Sequence, residues 1–168
     1  MTMPESSPSA AELGDLLARV RLLEDDLNIR TTVTRMVGLV DMRDWEQLVT
    51  VFTPTVRADW SKLTSEPAGE VTVEALVDGW RRTLTGLTAI QHILGNILVT
   101  VTSETDADAS AYVHAAQRLD ADFASSLWIV AGTYDFHLVR HGGRWLISAA
   151  TYRPAWGWGN RQIMDLAR

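Results

Sequence analysis

The chain has 168 residues, with 15 Lys and Arg against 21 Asp and Glu, a net charge of −6, 46% hydrophobic residues and no cysteine. Such a length gives one domain with a full apolar core, burying roughly 70% of the unfolded chain's surface without disulfides or structural metal. Dispersed arginines on an acidic background exclude a phosphate-tracking face, so nucleic acid is not an expected partner, and no window approaches the ~18 consecutive apolar residues of a membrane span.

Residues 1–10 carry Pro4, Pro8 and three serines but neither the basic nor the apolar region of a secretory signal, and are read as a disordered lead-in. The absence of cysteine agrees with a reducing cytoplasm. Residues 11–168 are expected to form a single domain, ending in a tail over residues 154–168. Leu13, Leu16, Leu17, Val20, Leu23 and Leu27 recur at three- and four-residue spacing, and the pattern continues through Val33, Met36, Val37 and Val40. That is an amphipathic helix with one buried face. Asp44, with Gln47 three positions on, caps a second, short helix that Pro54 closes. A short extended stretch, 55–60, leads into a polar loop with Pro67 and Gly69, and a further helix is expected over 72–84.

After Gly86 the period becomes extended. Segments 88–102, 109–120, 127–140 and 144–152 are rich in Val, Ile, Thr, Tyr and Trp, and their separators are polar or, at His141-Gly142-Gly143, a tight glycine turn. Helices followed by four consecutive antiparallel strands make an α+β domain. In it a curved sheet wraps around the N-terminal helices and encloses a hydrophobic cavity. The tail holds Trp156 and Trp158 and is expected to pack on the body or on a neighbouring subunit.

Asp41 follows Val37 by four residues and Val33 by eight, which turns its carboxylate toward the core. There it faces the negative end of the helix dipole and needs a donor. If the helix ends earlier, the carboxylate instead bonds local backbone near Arg43. On the first long strand His92, Leu94, Asn96 and Leu98 alternate onto one face, with Gly95 a point at which a bulge would turn Asn96 aside. On the second strand His114 and Gln117 lie three residues apart and must point to opposite faces if the strand is regular. On the third, Tyr134 and Phe136 share a face. His137 and His141 stand four residues apart, but on an expected strand and its turn and not on one helix face; no cysteine cluster or carboxylate-rich loop has metal-ligand spacing, and no phosphate loop or Gly-x-Ser-x-Gly elbow occurs. Cofactor-free acid/base chemistry is the reading that remains.

The order of elements, with VDMRDWEQL (residues 40–48), QHILGN (91–96), GTYDFHLVR (132–140) and GGRW (142–145), resembles the SnoaL-like branch of the NTF2-like superfamily over roughly residues 22–160. That branch includes scytalone and bile-acid dehydratases, hexachlorocyclohexane dehydrochlorinase, polyketide cyclases and non-catalytic small-subunit relatives of ring-hydroxylating dioxygenases. The resemblance implies the NTF2-like cone, with His92 facing the cavity as general base and Asp41 orienting it. It also implies a second acid on the second strand to protonate a departing hydroxyl, for which residue type favours His114 and spacing favours Gln117; His114 is the expectation carried forward. An inward Gln117 would leave no second proton donor and favour isomerisation or cyclisation.

Trp60 and Val40 stand where scytalone dehydratases carry tyrosines, which speaks against that reaction itself. Trp60, Asn96, Gln117, Tyr134 and Phe136 are the expected substrate contacts. The implied function is dehydration, isomerisation or cyclisation of a small hydrophobic ring compound, polyketide-, steroid- or terpenoid-like, by a homo-oligomer, trimer or dimer. The other reading is a non-catalytic ligand-binding or assembly subunit.

Overall fold

The first helix, α1 (Ala10–Met42), is 33 residues long and has buried residues only from Asp25 onward. The structure is a computed structural model and describes residues 8–64, 67–120 and 126–167. The Ser9 hydroxyl accepts the N–H of Glu12 while the Glu12 carboxylate accepts the N–H of Ser9, a capping box that starts the helix. Ser9 and Ala10 therefore belong to the helix and its cap, and residues 1–7 of the expected lead-in lie outside the described residues.

Ile29, Val33, Met36, Val37, Leu39 and Val40 are buried. The leucines ahead of them are not: Leu13, Leu16, Leu17, Val20, Leu23 and Leu27 are 40–71% exposed. One continuous buried face was expected, but at about 100° per residue Leu13, Val20 and Leu27 point roughly opposite to Ile29, Met36 and Val40. The changeover falls at Asp25. Its buried carboxylate accepts the Trp145 indole N–H at 3.0 Å and pairs with Arg140, whose guanidinium lies 4.5 Å from the Trp145 ring centroid.

Arg43, with φ of 56°, ends α1, and the N–H groups of Arg43 and Asp44 close on the carbonyls of Val40 and Leu39. Asp44 then caps α2 (Trp45–Leu48) through the N–H of Gln47 at 3.1 Å. After one 3-10 turn come β1 (Phe52–Asp59), β2 (Gly69–Thr72) and α3 (Val73–Leu84). The sequence reading had one extended stretch here; β2 is only four residues long and gains its ladder by pairing antiparallel with β1.

Four long strands follow: β3 (Ala89–Val101), β4 (Asp106–Arg118), β5 (Leu127–His141) and β6 (Arg144–Gly159). The curved, unclosed sheet has the order β2-β1-β6-β5-β4-β3. It is mixed rather than wholly antiparallel, because β1 runs parallel to β6. The concave side carries the alternate β4 residues Ala107, Ala109, Ala111, Val113 and Ala115, with Phe136 and Leu138 of β5 and Ile147 of β6, all buried. Each large apolar side chain sequestered in this way stabilises the fold by about 1.5–3 kcal/mol.

The expected tail is mostly strand. β6 continues through Pro154 to Gly159, paired with β5, and leaves Trp156 and Trp158 on the convex side, 55% and 63% exposed. The chain then forms α4 (Ile163–Leu166) and ends against its own α3–β3 turn, where a Cβ on Gly86 would lie 2.1 Å from the Ala167 carbonyl oxygen. Within β3, Gly95 faces Tyr112 and Leu98 faces Ser110, so two residues, Asn96 and Ile97, oppose Ala111 alone. This is a bulge. Asn96 takes φ of 49°, a conformation that asparagine tolerates, and Arg30 of α1 donates to the carbonyl of Ile97. Among the described residues no helix is long and apolar enough to cross a membrane.

Candidate active site

The last turn of α1 and the start of β3 meet at Asp41 and His92. Asp41 Oδ1 lies 2.6 Å from His92 Nδ1, and Oδ2 accepts the backbone N–H of His92 at 2.7 Å. The alternative, in which Asp41 bonds backbone near Arg43, does not occur. The side chains are 20% and 11% exposed, enough removed from water for the contact to be screened little. With a carboxylate on Nδ1, the neutral ring carries its proton there and presents Nε2 as an acceptor. Nε2 has no hydrogen-bond partner among the described residues.

Pairing places the remaining expected residues. His92 faces Ala115 and Ile93 faces His114, so His114 lies on the convex side. It lines a concavity of about 410 Å³ there, with Ile93, Tyr112, Thr133 and Trp156, its ring 5.8 Å from that of Trp156. The expectation that His114 serves the same site as His92 is corrected: Gln117 is the residue on the concave side. Its side chain is buried, and its Oε1 has no hydrogen-bond partner among the described residues. Asn96, expected beside His92, is exposed because the bulge breaks the alternation.

Tyr134 and Phe136 share the concave side, stacked at 5.2 Å, and Trp60 meets Tyr134 edge-on at 6.2 Å. Burial pushes the Tyr134 phenol up to about 12, partly offset by a hydrogen bond with the Trp60 side chain.

Two residues were missed in the sequence. Tyr152 of β6 pairs with Tyr134, and its hydroxyl is buried with no hydrogen-bond partner among the described residues. Burial, followed by the neighbouring Tyr134, pushes its ionisation above the ordinary tyrosine range. Strand alternation could have found it, since two residues before it Ala150 is also buried. Arg43 donates to the carbonyl of Leu87 and leaves Nε buried and unpaired. A second concavity, about 170 Å³, lies between α1 and the β5–β6 turn and includes Thr31, Arg35, Arg144 and Trp145; neither concavity contains Asp41 or His92. Among the described residues no group of His, Cys, Asp or Glu is arranged to hold a metal ion.

Comparison with known proteins follows this geometry. The SnoaL-like domain profile matches residues 21–151. Comparison of the sequence with curated proteins gives no match. Among solved structures the chain is similar to the Kfla4162 protein of Kribbella flavida, with a TM-score of 0.78 and 23% identity over 88% of this chain and 99% of that one. It is similar to a candidate scytalone dehydratase of Novosphingobium aromaticivorans, with a TM-score of 0.68 and 19% identity over 83% and 89%. It is also similar to the hexachlorocyclohexane dehydrochlorinase LinA-type3 of Novosphingobium barchaimii, with a TM-score of 0.68 and 15% identity over 85% and 94%. At these identities the likeness is one of fold.

Proposed function

The chain belongs to the SnoaL-like domain family, an NTF2-like α+β fold, and on that premise we propose that it is a cofactor-independent acid/base enzyme acting on a small hydrophobic ring compound. His92 is the base and Asp41 the residue that positions it. The observation that carries this reading is the two-point hold of Asp41 on the ring and backbone of His92, which leaves Nε2 open. A proton taken by Nε2 gives an imidazolium whose charge sits against the carboxylate, so the proton transfer is stabilised where the charge develops.

The polar group that β4 adds on this side is an amide, Gln117, not an imidazole. It can hydrogen-bond a carbonyl or hydroxyl but cannot give a proton to a departing hydroxide. The reactions that suit such a pair need no added acid: isomerisation, ring closure, or loss of an already stable anion. Loss of chloride, the reaction in the name of one structural neighbour, is of the last kind. Dehydration is the branch least supported.

A general probe is 5-nitrobenzisoxazole, a hydrophobic ring compound. Removal of its carbon-bound proton sends that electron pair into a C–N triple bond and breaks the N–O bond, releasing a phenolate. The wild-type protein should open the ring, and His92→Ala should slow it by about 10²–10⁴-fold with an unchanged far-UV spectrum. An unaffected rate in that variant would refute the assignment of His92.

The second reading, a binding or assembly subunit, draws on the mutual contacts of Trp60, Trp80, Tyr134 and Tyr152, which occupy the concave side with aromatic rings. It predicts capture of a hydrophobic ligand without conversion and no turnover of the probe above that of free imidazole. Association of copies, as a trimer or dimer, belongs to either reading, since Ile93, Leu98, Tyr112, Trp156 and Trp158 are all exposed.

A further inference from the structure

We infer that the first half of α1 is a pairing arm, which joins the same segment of a second copy of this chain in a short parallel two-stranded coiled coil. Every residue from Pro8 to Glu24 is exposed, so among the described residues nothing covers this part of the helix. Yet it is apolar along one side. Leu13, Leu16, Val20, Leu23 and Leu27 follow one another at spacings of three, four, three and four, the a and d positions of a heptad seam. The side of α1 that packs on the sheet, through Asp25, Ile29, Val33 and Met36, lies roughly opposite at about 100° per residue, so the seam looks away from the body.

The arm has a defined start and a fixed base. The Ser9–Glu12 capping box begins it, and the Asp25 contacts with Trp145 and Arg140 hold it where it leaves the body. Between them Gly14 weakens the helix, and among the described residues nothing lies within 4 Å of where its Cβ would stand. A lone segment of that length is marginal in water, and its apolar side needs a cover.

Charge selects the cover and its direction. With Leu13 and Val20 at a, Arg19 occupies a g position and Glu24 the following e position, and among the described residues neither has an ion-pair partner. In a parallel pair Arg19 meets Glu24 of the partner subunit, twice by symmetry. In an antiparallel pair g faces g and e faces e, and the opposite charges no longer meet.

The chain contains no cysteine, so single introduced thiols report the geometry directly. Leu13→Cys, at a seam position, is expected to form a disulfide-linked dimer on mild oxidation. Asp15→Cys, off the seam, should link about a thousandfold more slowly, because seam thiols meet at a millimolar effective concentration whereas off-seam thiols meet only in micromolar encounters between pairs. Arg19→Glu should slow the Leu13→Cys reaction, and adding Glu24→Arg should restore it, with the far-UV spectrum retained throughout. Equal rates for Leu13→Cys and Asp15→Cys would overturn the arm. Preferential linking of Leu13→Cys to Leu27→Cys in a mixed sample would overturn its parallel direction.

Discussion

The bulge at Asn96 is what turns His92 to the side of the sheet that holds Asp41 and away from the side of His114, since β4 itself alternates without a break. Near the β3–β4 turn, Val101 faces Ala107 and Leu98 faces Ser110. One extra residue enters at the bulge, and beyond it His92 faces Ala115. In an unbroken ladder His92 would face Ala116, and the even-numbered residues of β4, His114 among them, would share its side. The bulge thus decides which side chain accompanies the histidine.

That position should be selective. Asn96→Gly is expected to leave stability nearly unchanged, whereas Asn96→Val should cost about 1–2 kcal/mol, since a β-branched residue is strained at positive φ. Urea denaturation of the two variants measures it; equal stability would mean that the bulge is not held by this residue.

Gln117 and His114 should separate in function. His114→Ala, on the convex side, is expected to change turnover of 5-nitrobenzisoxazole by less than about twofold, because it meets no reacting atom. Gln117→Met should slow turnover by about tenfold or more, while raising stability by about 1 kcal/mol as an unpaired buried carbonyl is replaced by an apolar chain. A loss of both stability and activity would mark Gln117 as structural.

Much of this architecture is legible in the sequence, because helix and strand periods are strong over long segments. The run from Asp44 to Gln47 signals its own cap, and helix periodicity turns Asp41 toward the core, while the inward direction of His92 and its pairing with Asp41 come from the family resemblance. What is not legible depends on partners. The leucines from Leu13 to Leu27 look like core because sequence periodicity shows that a face is apolar, not what covers it. Which of His114 and Gln117 shares the side of His92 rests on a single-residue slip in β3 that no composition reveals. β2 is too short to carry a pattern, and the extension of β6 past Pro154 becomes apparent only when its partner strand is known.

The clamp at Asp25 carries a pH dependence. Burial alone would push its carboxyl up, but donation from Arg140 and Trp145, with the charge of Arg140, outweighs burial and holds it below the ordinary value. Its contribution is therefore fully present above about pH 4, the unfolded value, and is lost as pH falls through the lower folded value. Asp25→Asn should cost about 1–3 kcal/mol at neutral pH and flatten that acid decline. An unchanged stability-against-pH curve would show that the clamp contributes nothing.

Tyr134 acts at the other end of the scale. With its folded ionisation pushed up to about 12 by burial, against roughly 10 unfolded, its neutral form supports the fold below pH ~10, and that support is lost as pH rises toward 12. Tyr134→Phe should shallow this alkaline loss by on the order of 2 kcal/mol, leaving the part due to Tyr152. An identical alkaline curve in the variant would show that the phenol is not sequestered.

The most direct measurement is the protonation state of the His92 ring by nitrogen NMR at neutral pH. With Asp41 on Nδ1, the neutral imidazole should carry its proton on Nδ1 and leave Nε2 bare, and Asp41→Asn should abolish that preference. A proton on Nε2 in the wild-type protein, or a ring unaffected by Asp41→Asn, would contradict a base prepared by this carboxylate.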